Sequence, residues 1–162
     1  SALHTDLDRA TAQAETDALT GLGNRLRLSR RMRALLAGAR PFALLMAAFG
    51  PLDTPRIVGR RLQARVRDGD LVAHLEGQRF VMLLDGLDDA AALRERALAL
   101  YDSVVRPLRL GPPTPAPAVH FGGVISPHHG AEEHALLAAA DQAVAHARQA
   151  GEGYRLACRG PD

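Results

Sequence analysis

The segment FALLMAAF, residues 42–49, constrains the fold more than any other stretch of the chain. It holds no polar side chain, and Pro41 and Gly50-Pro51 bound it on either side. Such a run is far shorter than the roughly 18 apolar residues that a membrane-crossing helix needs. Unbroken apolar sequence, in place of the alternation of a half-exposed strand, suits a strand buried at the centre of a sheet.

The flanking sequence supplies the other elements. Residues 1–16, SALHTDLDRATAQAET, are polar, alanine-rich and free of Gly and Pro. With only Leu3, Leu7 and an alanine as apolar stripe, they read as the end of a longer linker helix. DALTGLGNR, 17–25, is a helix-breaking turn, after which Leu26, Met32, Leu35 and Leu36 recur at helical spacing through residue 39. Residues 56–66 form a short amphipathic helix through Ile57, Val58, Leu62 and Val66, and RDGD, 67–70, is turn chemistry. LVAHL and RFVMLLD make a hairpin around EGQ. Asp88 and Asp89 are placed to cap a helix reaching about Val105, with Leu93, Ala97, Leu100, Tyr101 and Val104 inward. PLRL, the loop GPPTPAP and AVHFGGVIS follow as strand, loop and strand. A helix over 132–150 closes at Gly151, and YRLAC is the last strand. The expected fold is an α/β domain, one mixed or antiparallel sheet flanked by helices. Its expected bounds are 17–158, with the linker helix at 1–16 and a C-terminal linker or tail starting at 159–162.

Composition narrows the function classes. A chain of 162 residues fits one domain with a real core, and 47% apolar but only 4% aromatic residues make that core aliphatic. A net charge of +2 demands no nucleic-acid partner. No signal peptide or apolar span is visible, so no direct membrane contact is expected. The single Cys158 cannot form an internal disulfide, which makes the reducing cytoplasm the expected compartment. All twenty basic residues are arginine. That reads as genomic composition, although a guanidinium also suits bidentate phosphate contacts.

Several segments together resemble the GGDEF family, the bacterial diguanylate cyclase domain. DALTGLGNR is similar to the family's entry signature D-x-L-T-G-L-x-N-R at Asp17, Leu19, Thr20, Gly21, Leu22, Asn24 and Arg25. RDGDLVAHLEGQRFVMLL resembles R-x-x-D-x-x-x-R-x-G-G-D-E-F and its following strand. FGGVISPHHG resembles the S-I-G strand and loop, and AADQAVAHARQAGEGYRL the closing helix and strand. The likeness runs from about residue 16 to 157 and implies a nucleotide-cyclase-like fold. In that family the GGDEF loop holds GTP and helps bind two Mg²⁺ ions, while the 3′-hydroxyl attacks the α-phosphate of a second GTP.

The matching loop here is Glu76, Gly77, Gln78, Arg79 and Phe80, which keeps only the second glycine and the phenylalanine. Mg²⁺ requires carboxylate oxygens. Gln78 is neutral, and Arg79 sets a positive charge where a metal-binding acid stands in the family. Ala47 and Ala48 take the place of the acids at the end of the first strand, and the segment after Phe49 is shorter than the family's. Arg148 replaces the closing helix's lysine. Two-metal phosphoryl transfer needs both ions, so the resemblance with these changes implies a domain without catalytic residues, without bound Mg²⁺ and without enzyme activity.

Other family features remain. Arg67 and Asp70 match the R-x-x-D of the family's inhibitory site, where arginine grips cyclic di-GMP and aspartate accepts from the guanine edge. A structural turn with a solvated arginine is the competing reading. Three roles follow: a regulatory or dimerising module of a cyclic di-GMP signalling protein, a cyclic di-GMP receptor through Arg67 and Asp70, or a metal-independent GTP-binding domain using Arg79. Expected partners are flanking domains of the same polypeptide, sensory on the N-terminal side and EAL on the C-terminal side, and a second copy of the chain. His120, His128, His129 and His134 fit no common metal-site spacing. His74, in place of a family arginine, is expected at the surface or in the hairpin. Arg60, Arg61, Arg65 and Arg67 read as a solvated helix face that would add phosphate contacts to a bound nucleotide.

Overall fold

The computed structural model describes residues 14–50, 55–75, 78–105 and 118–158. Its elements run α1 (Arg25–Ala37), β1 (Phe42–Phe49), α2 (Pro55–Gln63), β2 (Leu71–His74), β3 (Arg79–Asp85), α3 (Ala90–Val105), β4 (Val119–Ser126), α4 (Glu133–Ala150) and β5 (Tyr154–Leu156). The strands form one sheet in the order β2-β3-β1-β4-β5. All pairings are antiparallel except β4 with β5, which α4 connects. This is the mixed, helix-flanked sheet that the sequence implies.

FALLMAAF is the central strand, and every one of its residues is buried. Its side chains alternate between two apolar layers, as the pleat requires. Phe42, Leu44, Met46 and Ala48 join Leu28, Met32 and Leu35 of α1 and Leu136, Ala140 and Val144 of α4. Ala43, Leu45, Ala47 and Phe49 meet Val58 and Leu62 of α2 and Leu93, Ala97 and Leu100 of α3. A strand covered on both faces has no polar face, which explains the unbroken run.

Local chemistry fixes the helix ends. Asn24 caps α1 by accepting from the Arg27 amide at 3.1 Å. Asp89, not Asp88, caps α3 through the Ala92 amide at 2.8 Å. Gly151, at φ 68°, ends α4 in the left-handed conformation. Two boundaries are shorter than the sequence implies, since α1 stops at Ala37 and α2 at Gln63. Pro55 starts α2, a position where its missing N–H costs nothing.

Gly122 and Gly123 let β4 approach its neighbours. A Cβ on Gly122 would stand 2.6 Å from the Ala140 carbonyl oxygen of α4, and one on Gly123 2.7 Å from the Tyr154 hydroxyl. The β2 edge is covered by the entry turn, where Gly23 bridges to Ala73. The linker helix expected before residue 14, the PLRL strand, the GPPTPAP loop and the tail at 159–162 lie outside the described residues. Among the described residues no helix is long and apolar enough to cross a membrane.

Candidate functional site

The entry turn and the β2–β3 hairpin are welded together at Asp17. Its carboxylate accepts from the Thr20 amide at 2.9 Å and the Thr20 hydroxyl at 2.7 Å, closing a turn in which Gly21 takes a φ of 76°. The same oxygen lies 3.1 Å from Nδ1 of His74. Burial alone would raise the Asp17 carboxyl, but the Thr20 hydroxyl and amide and the neighbouring His74 outweigh it and hold the group below its ordinary value of 3.8. His74 is a hairpin residue, as the sequence implies, but it is buried, not at the surface. It closes β2 with its ring 4.8 Å from that of Phe80.

Beyond His74 the chain turns. The Leu75 amide donates to the Arg79 carbonyl and the Phe49 amide to the Gln78 carbonyl, each at 2.9 Å. Glu76 and Gly77 of the expected loop lie outside the described residues. Phe80 is fully buried and packs edge-on against Phe49 at 5.6 Å. In the sheet register Ala48 stands opposite Arg79 and Ala47 opposite Phe80. Arg79 therefore shares the face of Ala48, toward α4, and there its Nη1 meets Oδ1 of Asp141 at 2.7 Å. Asp141 lies in the AADQAVAHARQAGEGYRL segment that resembles the family's closing helix, but nothing local marks its contact with a residue 62 positions away.

Ala47 and Ala48 offer no side-chain oxygen, Gln78 offers a neutral one, and the Asp141 carboxylate is held by Arg79. Among the described residues no group of three or more His, Cys, Asp or Glu could hold a metal ion.

Arg67 and Asp70 form the turn between α2 and β2. The Asp70 side chain is 6% exposed and fully engaged. Its Oδ2 accepts from the Arg67 amide at 3.2 Å and from Arg96 of α3 at 3.3 Å, while Oδ1 accepts from the Asp85 amide at 3.1 Å. The Arg67 guanidinium is exposed and makes no hydrogen bond or ion pair among the described residues. The structure thus brings the two residues together through the backbone of one and the carboxylate of the other.

The remaining candidates are dispersed. His129 accepts from the Ile125 amide at 2.9 Å, His120 holds the Glu152 carbonyl at 2.8 Å, and His134 lies 3.6 Å from Glu132 at the surface. His128 lines a separate surface cleft beside Asp88 and Asp89. Arg61 donates to the Ser103 carbonyl at 3.2 Å, tying α2 to α3. Arg60 and Arg65 are exposed, as is Arg148 in the last turn of α4.

This arrangement of sheet, entry turn and hairpin is a known one. The family model for the diguanylate cyclase GGDEF domain matches residues 56–154, and the chain belongs to the GGDEF family. The bifunctional diguanylate cyclase/cyclic di-GMP phosphodiesterase MucR of Pseudomonas aeruginosa is 30% identical over 95% of this chain and 26% of its own length. The diguanylate cyclase TpbB of the same species is 30% identical over 88% of this chain and 37% of its own. The crystal structure of the GGDEF domain of YfiN, or TpbB, superposes with a TM-score of 0.76 at 28% identity, covering 88% of this chain and all of that one. The chain thus spans between about a quarter and somewhat over a third of these curated relatives.

The relatives correct one expectation. The altered loop implied that the chain is no enzyme, yet the curated proteins it matches are named diguanylate cyclases, which are enzymes. Taken by sequence alone, Arg79 stands as an unopposed guanidinium in an acid-stripped cleft. In the fold, α4 delivers the Asp141 carboxylate to Arg79, so that charge is neutralised within the site.

Proposed function

We propose that the chain is the regulatory GGDEF module of a longer cyclic di-GMP signalling protein, and that it holds a guanine nucleotide at the β2–β3 turn through Arg79. The Arg79–Asp141 pair carries this reading. A guanidinium stands at the first residue of β3, opposite Ala48, in an ion pair whose side chains remain 32% and 47% exposed. Such a pair is worth little in water, so phosphate oxygens can displace Asp141 and take the fork bidentately. Magnesium contributes little to this binding. The names of MucR, which join cyclase and phosphodiesterase, support an EAL-type domain elsewhere in the same polypeptide.

Calorimetric titration of GTP in EDTA tests the reading. Saturable binding is expected, weakened about tenfold or more in Arg79→Ala, the scale of a charge-assisted contact. Binding that requires Mg²⁺, or that survives Arg79→Ala unchanged, overturns it.

A second reading rests on Arg67, whose exposed guanidinium has no partner among the described residues. Cyclic di-GMP would bind there, with Asp70 serving as brace for the turn. Equal affinity for cyclic di-GMP in the parent and in Arg67→Ala would remove it.

A further inference from the structure

We propose that the cleft between α1 and the 67–70 turn is an anion-binding site for a phosphorylated small molecule. The cleft encloses about 460 Å³, and Arg27, Arg30, Arg31, Glu15, Gly69 and Asp70 contribute to its lining. That volume lies within the usual range of small-ligand sites. None of Gln78, Arg79 or Phe80 lines it, so it is separate from the β2–β3 turn.

Three features point to phosphate. Arg27, Arg30 and Arg31 stand at i, i+3 and i+4 of α1, a spacing that projects them from one helix face. The carboxylates of the lining are already engaged, Glu15 by Arg30 at 2.8 Å and Asp70 by Arg96 at 3.3 Å. Arg31 and Arg40 share the single Asp85 carboxylate, at 3.1 and 3.2 Å, and the Arg27 guanidinium has no hydrogen bond or ion pair among the described residues. Positive charge is therefore left over at the mouth of the cleft. An anion with several oxygens fits adjacent guanidinium forks better than a single carboxylate does. Gly69, at φ 92°, has open space where a Cβ would stand, so a ligand can approach the backbone there.

Calorimetry with sodium pyrophosphate at low ionic strength tests the proposal in the parent, Arg27→Gln and Arg33→Gln. Arg33 lies on α1 outside the cleft and pairs with Glu133. Saturable binding is expected, reduced about fivefold or more in Arg27→Gln and unchanged in Arg33→Gln. Absence of saturable binding overturns the site, and so does equal weakening in both variants, which would mark a diffuse charge effect. If Arg27→Gln lowers the melting temperature, Arg27→Lys is used in its place. It keeps the charge without the fork, and affinity clearly below that of the parent and of Arg33→Gln is expected, whereas parent-like affinity counts against the site.

Discussion

Arg79 and Asp141 face each other across one end of the sheet, with 2.7 Å between Nη1 and Oδ1. The pair joins the hairpin that corresponds to the family's nucleotide loop to α4, the closing helix of the domain. Its exposure makes it an exchangeable contact, not a structural rivet. Asp141→Asn is therefore expected to cost no more than about 1 kcal/mol of stability. It should also tighten GTP binding severalfold by removing a competitor for the guanidinium. Urea denaturation and calorimetry read the two effects, and weaker GTP binding in this variant would contradict the exchange.

Asp70 makes the opposite kind of contact. Its carboxylate ties the 67–70 turn to β3 and α3 and is almost entirely buried. Asp70→Ala is expected to destabilise the domain by roughly 3 kcal/mol, because Arg96 and the Asp85 amide lose their partner. Arg67→Ala should stay within about 0.5 kcal/mol of the parent, as befits an exposed side chain. Equal losses in the two variants would show that the turn is held otherwise.

Acid stability should depend on Asp17. Its folded-state carboxyl is held below the ordinary value of 3.8, so it adds stability above that value and loses it as the pH falls through the folded one. Asp17→Asn removes this contribution. Denaturation midpoints measured from about pH 6 downward should fall less steeply in the variant than in the parent. Parallel curves would place the acid sensitivity elsewhere.

At the alkaline end, burial pushes the Tyr154 phenol up to about 12 from 10.0. The raised group favours the folded state below its unfolded value, and that contribution is lost as the pH rises toward the folded one. Ultraviolet titration should show one of the two tyrosines ionising well above 10.0 in the folded domain, and Tyr154→Phe should remove that step.

Gly122 sits where α4 rests on β4. Gly122→Ala is expected to cost about 1–3 kcal/mol, since the new methyl would meet backbone atoms of Ala140 and Val144 that only a helix shift can clear. Thermal melting of the variant measures it, and an unchanged midpoint would mean that α4 yields freely.

Much of this was legible in the sequence because it depends on local pattern. The unbroken run at 42–49 announced a strand covered on both sides, and Gly151 announced the end of α4. Asp17, Thr20 and Gly21 carry a turn signature whose bonds lie within a few residues. What stayed hidden depends on tertiary approach. The meeting of Arg79 with Asp141, the burial of His74 against Phe80 and the engagement of Asp70 by Arg96 each require the sheet and helices to be assembled first. For that reason the sequence around Arg79 gives no sign of the carboxylate that α4 brings to it.

The central claim is that a guanine nucleotide is held at the β2–β3 turn by Arg79. Nuclear magnetic resonance of the isotopically labelled domain, with GTP added in EDTA, tests it most directly. The account predicts that the amides of Gln78, Arg79 and Phe80, the Arg79 Nε–H and the amide of Asp141 shift in a saturable way. Shifts absent from these groups while GTP binds elsewhere, or no shifts until Mg²⁺ is supplied, would contradict it.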